Sequence, residues 1–154
     1  QIAEIRGRYS DDDIAAAAAT IADERFVRDG LAFTGPDDVR AYFERRLRPL
    51  AYESFVAAYL DNRHRPIAAE EMSRGTLNAA SVYPREIVRR ALVLNAAAVV
   101  FAHNHPSGES EPSIADERIT ERLNDALLTV DIRTLDHIVV GATKSVSFAE
   151  RGLI

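Results

Sequence analysis

The sequence predicts an α/β domain from about residue 50 to the C-terminus, preceded by a short helical region over residues 1–49. Two observations carry this reading. From residue 50 onward, short segments rich in β-formers, SFVAAYLD at 54–61 and AAAVVFA at 96–102, alternate with stretches of helical periodicity opening at Pro84 and Ser113. The first 49 residues carry helix signals alone.

Taken in order, Asp11-Asp12-Asp13 begins a first helix over about 11–29, because aspartates complement the positive end of a helix, and Gly30 is its stop. Pro36-Asp37-Asp38 opens a second helix, in which Val39, Tyr42, Phe43 and Leu47 recur at helical spacing until Pro49. These two helices read as ordinary amphipathic packing elements, with a charged, alanine-rich face that a partner chain could also cover. Ser54–Asp61 reads as a strand, Asp61 to His64 as a turn that leaves His64 exposed, and Pro66–Gly75 as the returning strand of a hairpin. A helix from Pro84 to about Asn95 turns Ile87, Val88, Ala91, Leu92 and Leu94 toward the core. The run 96–102 suits a strand buried on both faces. Ser113 opens a helix with a stripe at Ile119, Leu123, Ala126, Leu127 and Val130, and DHIVVG at 136–141 and 145–148 supply two further short strands.

Composition narrows the function classes. At 154 residues the chain is of ordinary domain size and builds a core without covalent staples. It has no cysteine, which removes disulfides, thiolate metal clusters and thiol nucleophiles and suits a reducing cytoplasm, so any metal must use His, Asp or Glu. A net charge of -5, from 19 basic and 24 acidic residues, gives no global attraction for a nucleic-acid backbone. The alanine run at 15–19 is too short to span a bilayer, so no membrane segment is expected. The chain begins at Gln1 rather than Met, as a piece of a longer protein would.

Two of the four histidines stand at His103 and His105, at the end of the buried run. Residues i and i+2 of a strand face the same way, so both imidazoles can address one point, a spacing suited to chelating a metal. Asp116 is the candidate third ligand, because the turn residues Pro106, Gly108 and Pro112 can fold the next helix back over the strand end. Ser113-x-x-Asp116 is equally a capping-box pattern that would close the helix with no further chemistry. Against capping alone, Asp116 leads Ile119, Thr120 and Leu123 along the buried stripe, where a carboxylate needs a cation. His137 follows Asp136, but neighbours in a strand face opposite ways, so the two do not form a dyad; His137 is expected in the core or buttressing a ligating group.

The constellation H-x-H-x7-S-x-x-D resembles the signature of the JAMM (JAB1/MPN/Mov34) metalloprotease fold. The wording HNHPSG, with RGTLNAASVYPREIVRRAL upstream and LDHIVVG downstream, looks like its RadC branch over about residues 50–154. The resemblance implies an MPN-like mixed sheet flanked by helices, with Zn2+ on His103, His105 and Asp116 activating a water for amide hydrolysis of a peptide or protein substrate. It also implies a glutamate to move protons, and Ser113 to hydrogen-bond the developing oxyanion. Glu53, opening a segment similar to the family's E-x-F-x-x-L, competes for the glutamate role with Glu70 and Glu71; Glu53 is preferred. RadC proteins often carry a helix-hairpin-helix region in front, which the 49 leading residues do not resemble. The competing readings are a non-catalytic scaffold of the same fold, with the DNA-repair association the family name carries, and a metal-dependent nuclease, which would favour a more carboxylate-rich site.

Overall fold

The computed structural model describes residues 1–75 and 82–154; the stretch TLNAAS at 76–81, part of the family-like segment, lies outside the described residues. In chain order the elements are α1 (Ile2–Arg8), α2 (Asp11–Asp29), α3 (Pro36–Leu47), β1 (Ser54–Leu60), β2 (Pro66–Arg74), α4 (Pro84–Val93), β3 (Ala98–Asn104), α5 (Ile114–Leu128), β4 (Arg133–Val140) and β5 (Ser145–Ser147). Among the described residues the strands form one mixed sheet of order β2-β1-β3-β4-β5, in which the β3/β4 pair is parallel and the other pairs are antiparallel. α5 is the crossover that the parallel pair requires.

Local chemistry sets most boundaries. The side chain of Ser10 caps α2 through a reciprocal box with Asp13, and Gly30 ends the helix in the left-handed conformation at φ 61°. In the β1–β2 turn, Asp61 accepts from the amides of Arg63 and Arg65 at 2.8 and 3.0 Å. His64 adopts φ 60° in this turn and is partly buried rather than exposed, its carbonyl accepting from Phe33 N at 2.8 Å. The early helix α1 has no counterpart in the sequence reading, since seven residues with no buried position give almost no periodic signal.

The sheet separates two apolar layers. On one side, Val56, Ala58, Val100, Ala102 and Ile138 meet Val39, Tyr42, Phe43 and Leu47 of α3. On the other, Phe55, Tyr59, Val99 and Phe101 meet Ile87 and Ala91 of α4 and Ile119, Leu123 and Leu127 of α5. Residues on both sides of the expected boundary at 49/50 thus share the first layer. Leu92, expected inward, is 55% exposed: α4 touches the sheet along a stripe through Ile87 and Ala91, and Leu92, about 100° further round, clears it. α2 lies over α3 and β2 with its Asp23 accepting from Tyr42 Oη and, at 2.9 Å, from Arg46 Nε. No described helix is long and apolar enough to cross a membrane.

Phe43 is fully buried between α3 and the sheet. Phe43→Ala is expected to lower unfolding stability by about 3–5 kcal/mol, read as a lower midpoint in urea with an unchanged slope.

Candidate metal centre

β3 runs two residues further than its apolar composition indicates, through His103 to Asn104, and His105 follows directly. The extension is held on both flanks. His103 pairs with Phe55 of β1 and with Val139 of β4, Asn104 Oδ1 accepts from Ser54 N at 2.8 Å, and His105 N donates to Val140 O at 3.0 Å. His103 and His105 therefore share the face of the sheet that α5 covers, at the carboxyl end of a parallel pair, where α/β folds gather functional groups.

α5 delivers the third group. Ser113 is its N-cap, with Oγ accepting from Asp116 N at 3.0 Å, and Asp116 Oδ2 accepts from Ser113 N at 2.8 Å. The same carboxylate faces the imidazoles: Oδ1 is 3.3 Å from His103 Nε2 and Oδ2 is 3.2 Å from His105 Nε2. Capping and facing the histidines are thus one arrangement of Asp116 rather than competing fates.

His103 is fully buried, Asp116 is 3% exposed and the His105 side chain 14%. His105 Nδ1 donates to Glu109 O at 2.9 Å, which leaves Nε2 with its lone pair. His103 Nδ1 lies 2.7 Å from His137 Nε2, so its Nε2 also points to the common site. The two Nε2 atoms are 3.0 Å apart. Bare lone pairs at that distance repel unless a proton or a cation lies between them. Donors around a tetrahedral zinc with bonds of about 2.0–2.1 Å stand about 3.3–3.4 Å from one another, close to the separations here. His103, His105 and Asp116 therefore fit a metal ion by donor type and spacing.

Burial opposes ionisation of Asp116, but the facing imidazoles of His103 and His105 and the Ser113 amide outweigh it and hold the carboxyl well below the usual carboxylate range. The Asp116 hydrogen bond raises His105 against the opposing effect of burial, with smaller help from the Glu109 carbonyl and the charge of Glu53. Burial, then the nearby His103, pushes His137 well below an ordinary histidine, so it is neutral.

Glu53 lies just before β1, whose Phe55 pairs with His103, and its charge acts on His105. Its carbonyl accepts from Gly75 N at 2.8 Å. Glu70 forms a two-pronged pair with Arg90 at 2.6 and 2.8 Å, and Glu71 binds Arg74 at 2.8 Å, so both carboxylates are engaged elsewhere on β2. Asp136 accepts from Ser147 Oγ at 2.6 Å and from the amides of Ala149 and His137, on the far side of its strand from the His137 ring. One contributor has no sequence motif to announce it: Thr120 Oγ1, 2.6 Å from His137 Nδ1. Only its position one turn after Asp116 on the buried stripe could have drawn attention to it.

These features define an α/β domain with two histidines and one aspartate, a group that could hold a metal ion, at a strand end. Residues 33–153 match the family described as the RadC-like JAB domain, and the chain belongs to that family. A UPF0758 protein of Vibrio cholerae serotype O1 is 54% identical over 145 residues, 94% of this chain and 91% of that protein. UPF0758 proteins of Chromohalobacter salexigens and Thioalkalivibrio sulfidiphilus are 60% and 62% identical over 80% and 81% of the chain. The chain spans about half the length of these two relatives, 55% and 56%.

Two predictions follow from this geometry. Because His105 holds its proton to a higher pH than an ordinary histidine, that proton competes with a metal from above pH ~6.5 downward. Asp116 stays ionised over the same range. Zinc affinity, measured by competition with a chelator between pH 8 and pH 5.5, is expected to fall as pH falls, approaching about tenfold per unit. The second concerns Gly141, where an added Cβ would lie 2.7 Å from Gly108 O and 2.9 Å from Ser110 N, in the loop that carries Glu109. Gly141→Ala is expected to displace that loop and weaken zinc binding, measured the same way, by about tenfold or more through loss of the Glu109–His105 bond.

Proposed function

We propose that this domain is a zinc-dependent hydrolase that cleaves an amide bond, a peptide or isopeptide, in a peptide or protein substrate. The observation that carries the reading is that His103 Nε2, His105 Nε2 and the Asp116 carboxylate face one another at 3.0, 3.2 and 3.3 Å. Zinc bound there would act as a Lewis acid, acidifying water and polarising a carbonyl, and three protein ligands leave a position open for this.

The remaining work falls to the chain. Glu53 accepts the proton of the attacking water and returns it to the departing amine; its place just before β1, beside the strand end that carries His103, and the action of its charge on His105 support this assignment. Ser113 Oγ uses a lone pair, not its proton, to cap α5, so the hydroxyl can donate to the carbonyl oxygen as negative charge develops. The buried Asp116 and His103 keep the ligand set rigid. The net charge of -5 favours a protein substrate over a nucleic acid.

The test separates binding from turnover. The double variant His103→Ala, His105→Ala is expected to lose stoichiometric zinc, and zinc retention by it would overturn the assignment of the ligands. Glu53→Gln is expected to keep zinc while hydrolysis of a responsive peptide substrate falls by about a hundredfold to ten-thousandfold. Undiminished hydrolysis in Glu53→Gln would remove Glu53 from the mechanism. Zinc uptake without turnover on any peptide or isopeptide substrate would give the domain a binding rather than a catalytic role.

A further inference from the structure

Behind the candidate metal centre runs a chain of buried polar contacts that returns to its own starting point. His103 Nδ1 is 2.7 Å from His137 Nε2, His137 Nδ1 is 2.6 Å from Thr120 Oγ1, and Thr120 Oγ1 donates to Asp116 O at 2.7 Å. It links β3 to β4 to α5 and ends on the backbone of the residue whose carboxylate faces His103. His103 and His137 are fully buried and Thr120 is 2% exposed. The His137 ring stacks on Phe148 at 4.7 Å and meets the edge of Phe55 at 5.4 Å, so aromatic side chains flank it.

A neutral imidazole carries one N–H, so proton positions along such a chain are not independent. With the hydroxyl proton of Thr120 on Asp116 O, Oγ1 can only accept from His137, which then carries its proton on Nδ1. His137 Nε2 is then bare and accepts from His103 Nδ1–H. His103 Nε2 is left bare, aimed at the metal-ligand cluster. Reversing one proton reverses all. Were Thr120 to donate to His137 Nδ1, the proton on His137 Nε2 would go to His103 Nδ1, and His103 would carry its own on Nε2, where a metal would bind.

We propose that Thr120 and His137 are positioning residues that select the His103 tautomer able to bind a metal. The proposal rests on the metal reading of His103, His105 and Asp116, and it adds a determinant of affinity that touches neither metal nor substrate. The closed path through Asp116 has a second consequence: docking of α5 and orientation of the His103 ring are set together.

Thr120→Val, Thr120→Ala and Thr120→Ser, each in the full chain, test this. Zinc affinity by chelator competition, and the nitrogen resonances of His103 in metal-free protein, are the readouts. Thr120→Val and Thr120→Ala are expected to weaken zinc binding by about 10–100-fold and to move the His103 proton from Nδ1 to Nε2, while Thr120→Ser, which keeps the hydroxyl, stays near the parent. A folding defect alone would lower thermal stability without exchanging the protonated and bare nitrogens of His103. Parent-like affinity and an unchanged His103 tautomer in both hydroxyl-free variants would overturn the proposal, as would a loss in Thr120→Ser equal to theirs. Should the parent take up no zinc, the metal reading fails, and the nitrogen resonances still decide whether Thr120 sets the tautomer.

Discussion

The ionised carboxylate of Asp116, held at 3% exposure, is the constraint around which this domain is arranged. A buried charge is costly unless hydrogen bonds and opposite charge surround it. Here the compensation comes from the Ser113 amide, the positive end of α5, and the His105 imidazole, whose proton the same carboxylate holds to a higher pH. The capping box fixes where the helix begins, and that start fixes where the carboxylate lies relative to the strand end. Capping the helix and facing the histidines are therefore two uses of the same geometry.

That geometry depends on layers well away from it. β3 can present His103 and His105 side by side because β1 pairs with it as far as His103 and β4 as far as its last residue, Asn104, and because α3 fills the face of the sheet behind. α5 approaches the strand end at a fixed height because Ile119, Leu123 and Leu127 lock its stripe onto the sheet. Close packing leaves few ways to shift one of these elements without the others. The rigidity suits a ligand set, since donor atoms displaced by a few tenths of an ångström lose the spacing a metal demands.

The polar chain through His137 and Thr120 shows how a buried network can be specific without being charged. Each member is satisfied, His137 stays neutral under burial, and the direction of every proton follows from a single hydroxyl. Partly satisfied, such a network would be a liability; complete, it fixes ring orientations that packing alone would leave free. The aromatic rings of Phe55 and Phe148 contribute by flanking the His137 ring.

Much of this was legible in the chain itself. Pro36, Pro84 and Ser113 mark helix starts, Gly30 a stop, and the i, i+2 histidines with an inward aspartate four residues before Thr120 pick out the cluster that could hold a metal, because these signals act through local backbone geometry. What the sequence left open were matters of distance between residues remote in the chain. The extension of β3 to Asn104 needed its neighbours' hydrogen bonds, the commitment of Glu70 and Glu71 needed Arg90 and Arg74, and the partly buried His64 needed the segment around Phe33. The part played by Thr120 was invisible for the same reason: a hydroxyl acquires a role only when folding brings a ring nitrogen from another strand within 2.6 Å of it. Residue types and spacing determined which donors this domain would offer; only the tertiary structure decided their proton positions and orientation, because those depend on contacts that periodicity does not encode.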